Sequence, residues 1–121
     1  GPSWDGNSNQ IVGSHYTRSD STSISTTTAT TVATHAIATF RSVNYKVQIT
    51  QGTDYYQSEI NVLHDGSTAD ITEFGIIHNY DPTDVPPAFS ATISSGNLLL
   101  QVTMPSSASA TIKVLSTATT V

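Results

Sequence analysis

Strict alternation over Val43 to Thr50 constrains this chain more than any other feature. Val43, Tyr45, Val47 and Ile49 point one way, and Asn44, Lys46, Gln48 and Thr50 point the other. A period of two with one apolar side is a half-buried strand, one face on a core and the other in water. A second run, about Tyr55 to His64, leads into Asp65-Gly66 and a third run over about Ser67 to Phe74. Asp-Gly between such runs predicts a hairpin, because a type I′ turn needs two residues that tolerate positive φ. With a two-residue loop, Ile60 faces Ile71 and Val62 faces Ala69, and the apolar side chains meet on one side.

The pattern continues in both directions. Val32, Ala36, Ala38 and Phe40 fall on one face of a preceding strand, and Ile76-Ile77 open a further short one. Asn79 to Pro87 holds three prolines, which exclude a central strand. Beyond it Phe89, Ala91 and Ile93 alternate, Ser95-Gly96 turns, and Leu98, Leu100 and Val102 alternate back. A two-residue loop there pairs Ile93 with Leu98, Ala91 with Leu100 and Phe89 with Val102. A last strand spans about Ala110 to Leu115. No helical period competes. Seven to eight short antiparallel strands must pack sheet on sheet, which predicts an all-β, jelly-roll-like antiparallel β-sandwich over residues 32–121.

Residues 1–31 read differently. Gly1-Pro2 has the form of a cleaved tag remnant, and Ser19 to Thr31 carries one large apolar side chain, Ile24. Such a segment cannot bury a core by itself, so an extended polar arm or linker is expected, with Ile11, Val12 and Tyr16 as a short edge strand. The chain holds 17 Ser and 20 Thr, and Thr favours strands, so the hydroxyl content fits both the arm and the sandwich. Nine acids against four bases give a net charge of −5 and argue against a nucleic-acid partner. No apolar run approaches the roughly 20 residues of a membrane span, so no membrane insertion is expected. Without cysteine there is no disulfide framework and no thiolate chemistry.

Three motifs carry a family resemblance. Arg41, Ser42, Tyr45, Val47 and Gln48 mark the first; Glu59, His64, Asp65, Gly66, Thr68, Glu73 and Gly75 the second; Ile93, Gly96, Leu100 and Thr111-Ile112-Lys113 the third. In this order and spacing, about residues 32 to 117 resemble a domain repeated in structural proteins of T4-like marine phages of the cyanophage type. The departures are the loop around Tyr80 to Pro87 and the Thr-rich lead-in. The resemblance implies a non-enzymatic virion module of a tail fibre or appendage. It implies location in the virion particle, contact with other virion proteins, and homo-oligomers with a trimer favoured by fibre architecture.

The residues that could carry chemistry are few. Glu59 and Glu73 are the one carboxylate pair worth weighing for glycoside hydrolysis. The hairpin register puts them on opposite faces, so no catalytic residue is assigned, and Glu73 is expected to bond Arg41, Tyr45 or a backbone donor. His15, His35, His64 and His78 match no compact ligand spacing, and no metal or cofactor is expected. Asp81 and Asp84 offer hard oxygens for Ca²⁺, yet the Pro-braced loop reads better as a surface loop with an Asx turn. Tyr55 projects outward beside the inward Tyr56, Tyr80 sits in the Pro loop, and Trp4 precedes the arm. Tyr55, Tyr80, Trp4, Asp81 and Asp84 are therefore the candidate contact residues, for an oligomer interface first and a host surface glycan second.

Overall fold

The computed structural model describes residues 10–121. Nine strands form two antiparallel sheets: β1 (Ile11–Val12), β2 (His15–Ile24), β3 (Thr30–Ala36), β4 (Phe40–Gln51), β5 (Asp54–His64), β6 (Ala69–His78), β7 (Ala88–Ser94), β8 (Asn97–Thr103) and β9 (Ala110–Thr120). The larger sheet has the order β1-β2-β9-β4-β5-β6 and the smaller β3-β8-β7. Their facing sides bury a single core: Tyr45, Val47, Ile49, Ile60 and Ile112 from the large sheet, and Val32, Leu98, Leu100 and Val102 from the small one. The β-sandwich is the expected fold. Alternation in β4, β5 and β9 supplies one wall, and the β7–β8 hairpin supplies most of the other.

The second hairpin has the expected register: Ile93 opposes Leu98, Ala91 opposes Leu100 and Phe89 opposes Val102. Ser95 and Gly96 both take positive φ, 51° and 79°, as a type I′ turn requires. The Asp65-Gly66 hairpin is different. The Asp65 carboxylate accepts from the amides of Ser67 (2.9 Å) and Thr68 (2.8 Å), and the Asp65 amide donates to the Thr68 carbonyl (3.1 Å). These bonds organise a four-residue loop, so Ile60 opposes Glu73, and Val62 opposes Ile71. The shift is an even number of residues, so every side chain keeps its expected face. His64, beside the turn, is buried. Its Nδ1 accepts from the Gly66 amide (3.0 Å), which leaves Nε2 to donate to the Phe40 carbonyl (2.5 Å).

Three further expectations are corrected. The polar segment read as an arm contains β2, which pairs residue for residue with β9 from His15↔Thr119 to Ile24↔Ala110. Backbone bonding and β-favouring Thr and Ser suffice there, with Tyr16 and Ile24 as its anchors on the core. The strand expected to run from Val32 through Phe40 is broken by a turn in which the Thr39 amide donates to the Ala36 carbonyl (3.2 Å). That turn carries the chain from the small sheet to the large one. Ile76 and Ile77 do not begin a new strand. They continue β6 past a bulge at which Gly75 and Ile76 oppose the single residue Ser58, and Gly75 has φ +65°.

Polar atoms remain inside the sandwich. Tyr45 Oη, Ser116 Oγ and both ring nitrogens of His35 are buried and without a hydrogen-bond partner among the described residues. Tyr45 and Ser116 are cross-strand neighbours, and the His35 ring lies 5.9 Å from the Tyr45 ring. Burial pushes the Tyr45 phenol well above its ordinary pKa. A buried, unpartnered hydroxyl costs about 1–3 kcal/mol. Tyr45→Phe is therefore expected to raise the thermal midpoint, and a lowered midpoint in a calorimetric scan would contradict this account of the core.

Candidate functional site

The register separates the carboxylates. Glu59 opposes Phe74 on the outward face of the large sheet, while Glu73 opposes Ile60 on the inward face. Glu73 accepts hydrogen bonds from Tyr56 Oη (2.5 Å) and Ser58 Oγ (2.7 Å), not from Arg41, Tyr45 or the backbone. Burial, then the hydrogen bond to Glu73 and its charge, hold the Tyr56 phenol protonated far above its usual range. This cluster closes the sandwich beside the ring stack of Tyr56 and His78 (5.8 Å, 13°). Glu73 is thus tied to β5 and does not share a cleft with Glu59.

The loop candidates diverge. Tyr80 is 5 % exposed, and its hydroxyl donates to Gln51 Oε1 (2.9 Å). Gln51 Nε2 in turn donates to the Ala108 carbonyl (2.8 Å) and to Ser106 Oγ (3.2 Å). The buried Gln51 amide explains why Tyr80 turns inward rather than lining a surface groove. Burial, then the Asp54 charge, raise its phenol. Asp81 closes an Asx turn, accepting from the Thr83 amide (2.9 Å) and Thr83 Oγ1 (2.7 Å), which hold its carboxyl below the ordinary range. Asp84 is exposed, and its amide donates to the Asp81 carbonyl (2.9 Å). Among the described residues no three acidic or histidine side chains converge as a metal set. Trp4 lies outside the described residues.

Tyr55 is 52 % exposed on the outward face. Its amide donates to Asn79 Oδ1 (2.6 Å), and it borders a shallow depression with Gln48, Gln57 and Ile77. The structure brings it together with neither Tyr80, Asp81 nor Asp84. Instead it sits near an apolar edge that sequence reasoning missed. β6 is the last strand of the large sheet, so one side of its backbone is unpaired among the described residues. It exposes Ile71, Phe74, Ile76 and Ile77, the last at 64 %. An apolar edge strand with open main-chain donors and acceptors is a surface built to be covered. The signal in the sequence was the run Phe74-Gly75-Ile76-Ile77, whose apolar residues exceed what one inward face can hold.

The fold has relatives among solved structures. The tailspike protein of Acinetobacter baumannii phage AM24 matches over 88 % of this chain, with TM-score 0.55 and 8 % identity. The tailspike protein of Acinetobacter phage vB_ApiP_P1 matches over 99 % of this chain, with TM-score 0.50 and 14 % identity. This chain spans 26 % and 25 % of the length of those two proteins. At such identities the likeness is one of fold. No protein-family model matches the sequence. No curated protein matches it either.

Proposed function

We propose that this chain is a non-enzymatic structural module of a phage tail appendage that assembles with copies of itself and displays a host-facing surface. The observation that carries this reading is the two-sheet fold itself, which follows a quarter-length portion of two phage tailspike proteins along nearly all of this chain. The motif resemblance to the repeated domain of T4-like marine phage virion proteins gives the finer version, a tail-fibre or appendage repeat of the virion. The separation of Glu59 and Glu73, with Glu73 bonded to Tyr56 and Ser58, supports a role without catalysis. The uncovered apolar edge of β6 supports self-association. A trimer is the favoured order, since a projecting fibre sets its subunits around one axis.

The edge supplies the test. The double substitution Phe74→Asp and Ile77→Asp alters two exposed side chains, so the fold should tolerate it. Light scattering is expected to show the substituted chain as a monomer and the unsubstituted chain as an oligomer. Identical masses for the two would remove β6 as the contact. Incubation with bacterial polysaccharide is expected to release no reducing ends, and steady release by purified chain would overturn the non-enzymatic reading.

A further inference from the structure

Two adjacent rows of outward side chains cross the large sheet at the end nearest the 65–68 loop. One row is His15, Thr119, Ser42, Leu63 and Asp70, fixed by the cross-strand register. The other is Thr117, Asn44, Asn61 and Thr72. Five strands spaced by about 4.8 Å make the first row about 19 Å wide. The rows line a depression of about 450 Å³. That is within the roughly 300–1,000 Å³ of small-ligand sites.

The lining selects a ligand chemistry. Asn44 Nδ2 donates to Asn61 Oδ1 at 2.7 Å. That bond orients the two amides and leaves Asn44 Oδ1 and Asn61 Nδ2 without a protein partner among the described residues. An acceptor and a donor thus stand side by side, flanked by the hydroxyls of Thr117 and Thr72. Among the described residues no Lys or Arg lines the depression, and His15, at the outer end of the first row, is its one basic side chain, so it offers little to neutralise a phosphate, sulfate or acidic sugar. Among the described residues Asp70 is its one carboxylate, too few for a divalent cation. The β9, β4 and β5 backbones beneath the Asn pair are paired on both sides, so an added peptide strand could join only at the free β6 edge, about two strand spacings from Asn61. What fits is a neutral, many-hydroxyl chain that bonds amides and hydroxyls and lays a C–H face on Leu63, which is 53 % exposed.

We propose that this depression binds a neutral oligosaccharide, with Asn44 and Asn61 as the orienting pair. The proposal rests on the reading of the chain as a host-facing module, and it places the contact at the end of the sheet opposite Tyr55. The test is binding of the full chain to a printed array of bacterial surface glycans, neutral and acidic. Signal on neutral glycans is expected. It should fall at least ten-fold in Asn61→Ala and in Asn44→Ala while Tyr55→Ala retains it, with thermal melts of all three unchanged. Silence on every neutral glycan, binding confined to acidic glycans, or binding indifferent to both Asn substitutions would overturn the site. A chain that self-associates yet stays silent on the array loses this site and keeps its structural role. A monomer with Asn-dependent binding does the reverse.

Discussion

Removal of residues 1–24 is expected to abolish cooperative unfolding of this protein. The deletion takes away β2, which pairs with β9 across ten consecutive positions. β9 lies between β2 and β4 and carries Ile112, Val114 and Ala118 into the core. Without β2 it becomes an open edge. The same deletion uncovers Phe40, on which the Tyr16 ring packs at 5.3 Å, and the His35 ring at 6.3 Å from Tyr16. It also removes the Arg18 guanidinium bond to the Thr34 carbonyl (2.7 Å), a direct tie between the two sheets. Burying one Ile contributes about 1.5–3 kcal/mol. Domains of this kind have about 5–15 kcal/mol in total, so losing Ile24, Tyr16 and a ten-residue ladder consumes most of it. Circular dichroism is expected to show a broad, non-cooperative melt for the shortened chain. A sharp transition at the full chain's midpoint would mean that residues 1–24 are an arm after all.

Acidification is expected to destabilise the fold well before the carboxylates titrate. His35 is 2 % exposed, and its ring stands among Tyr16, Phe40 and Tyr45. Burial is the main cause that lowers its pKa from 6.5 to about 4; the Arg18 charge lowers it further and Asp20 works in the other direction. The sign follows from which state binds the proton. Between pH 6.5 and 4 the unfolded chain takes up a proton that the folded chain refuses. The stability His35 contributes is therefore complete above pH 6.5 and is lost as pH falls towards 4. A shift from 6.5 to about 4 corresponds to roughly 3 kcal/mol at 1.36 kcal/mol per pH unit. Urea titrations at pH 7, 5.5 and 4 should show a falling midpoint, and His35→Leu should flatten the trend. Equal pH dependence in both chains would assign the effect to other groups. Asp65 and Asp81, whose carboxyls are lowered by local hydrogen bonds, add a loss of the same direction only at still lower pH.

Local chemistry made part of this fold legible. The register of β7 and β8 could be counted because Ser95-Gly96 leaves no alternative to a two-residue turn, and the outward position of Tyr55 followed from its alternation with Tyr56. The Asp65-Gly66 loop was mis-sized because a side chain decided it: the Asp65 carboxylate gathers the amides of Ser67 and Thr68 and lengthens the turn. Strand β2 was hidden because its stability is borrowed. Its own residues are mostly Ser, Thr and charged groups, and only the edge of β9, nearly a hundred residues later in the chain, gives them a partner. Tyr80 was misplaced for a similar reason, since the buried Gln51 amide that receives its hydroxyl lies at the end of β4, 29 residues earlier in the chain. The rows around Asn44 and Asn61 appear only when five strands are laid in register.

The mass of the full chain in solution shows whether copies of it cover the β6 edge. One chain weighs 12.8 kDa. If this is an appendage module that covers its β6 edge with another copy, light scattering will give a whole multiple of that mass, three being the favoured number. A constant mass of one chain at every concentration, with the β6 edge left in water, would contradict the account.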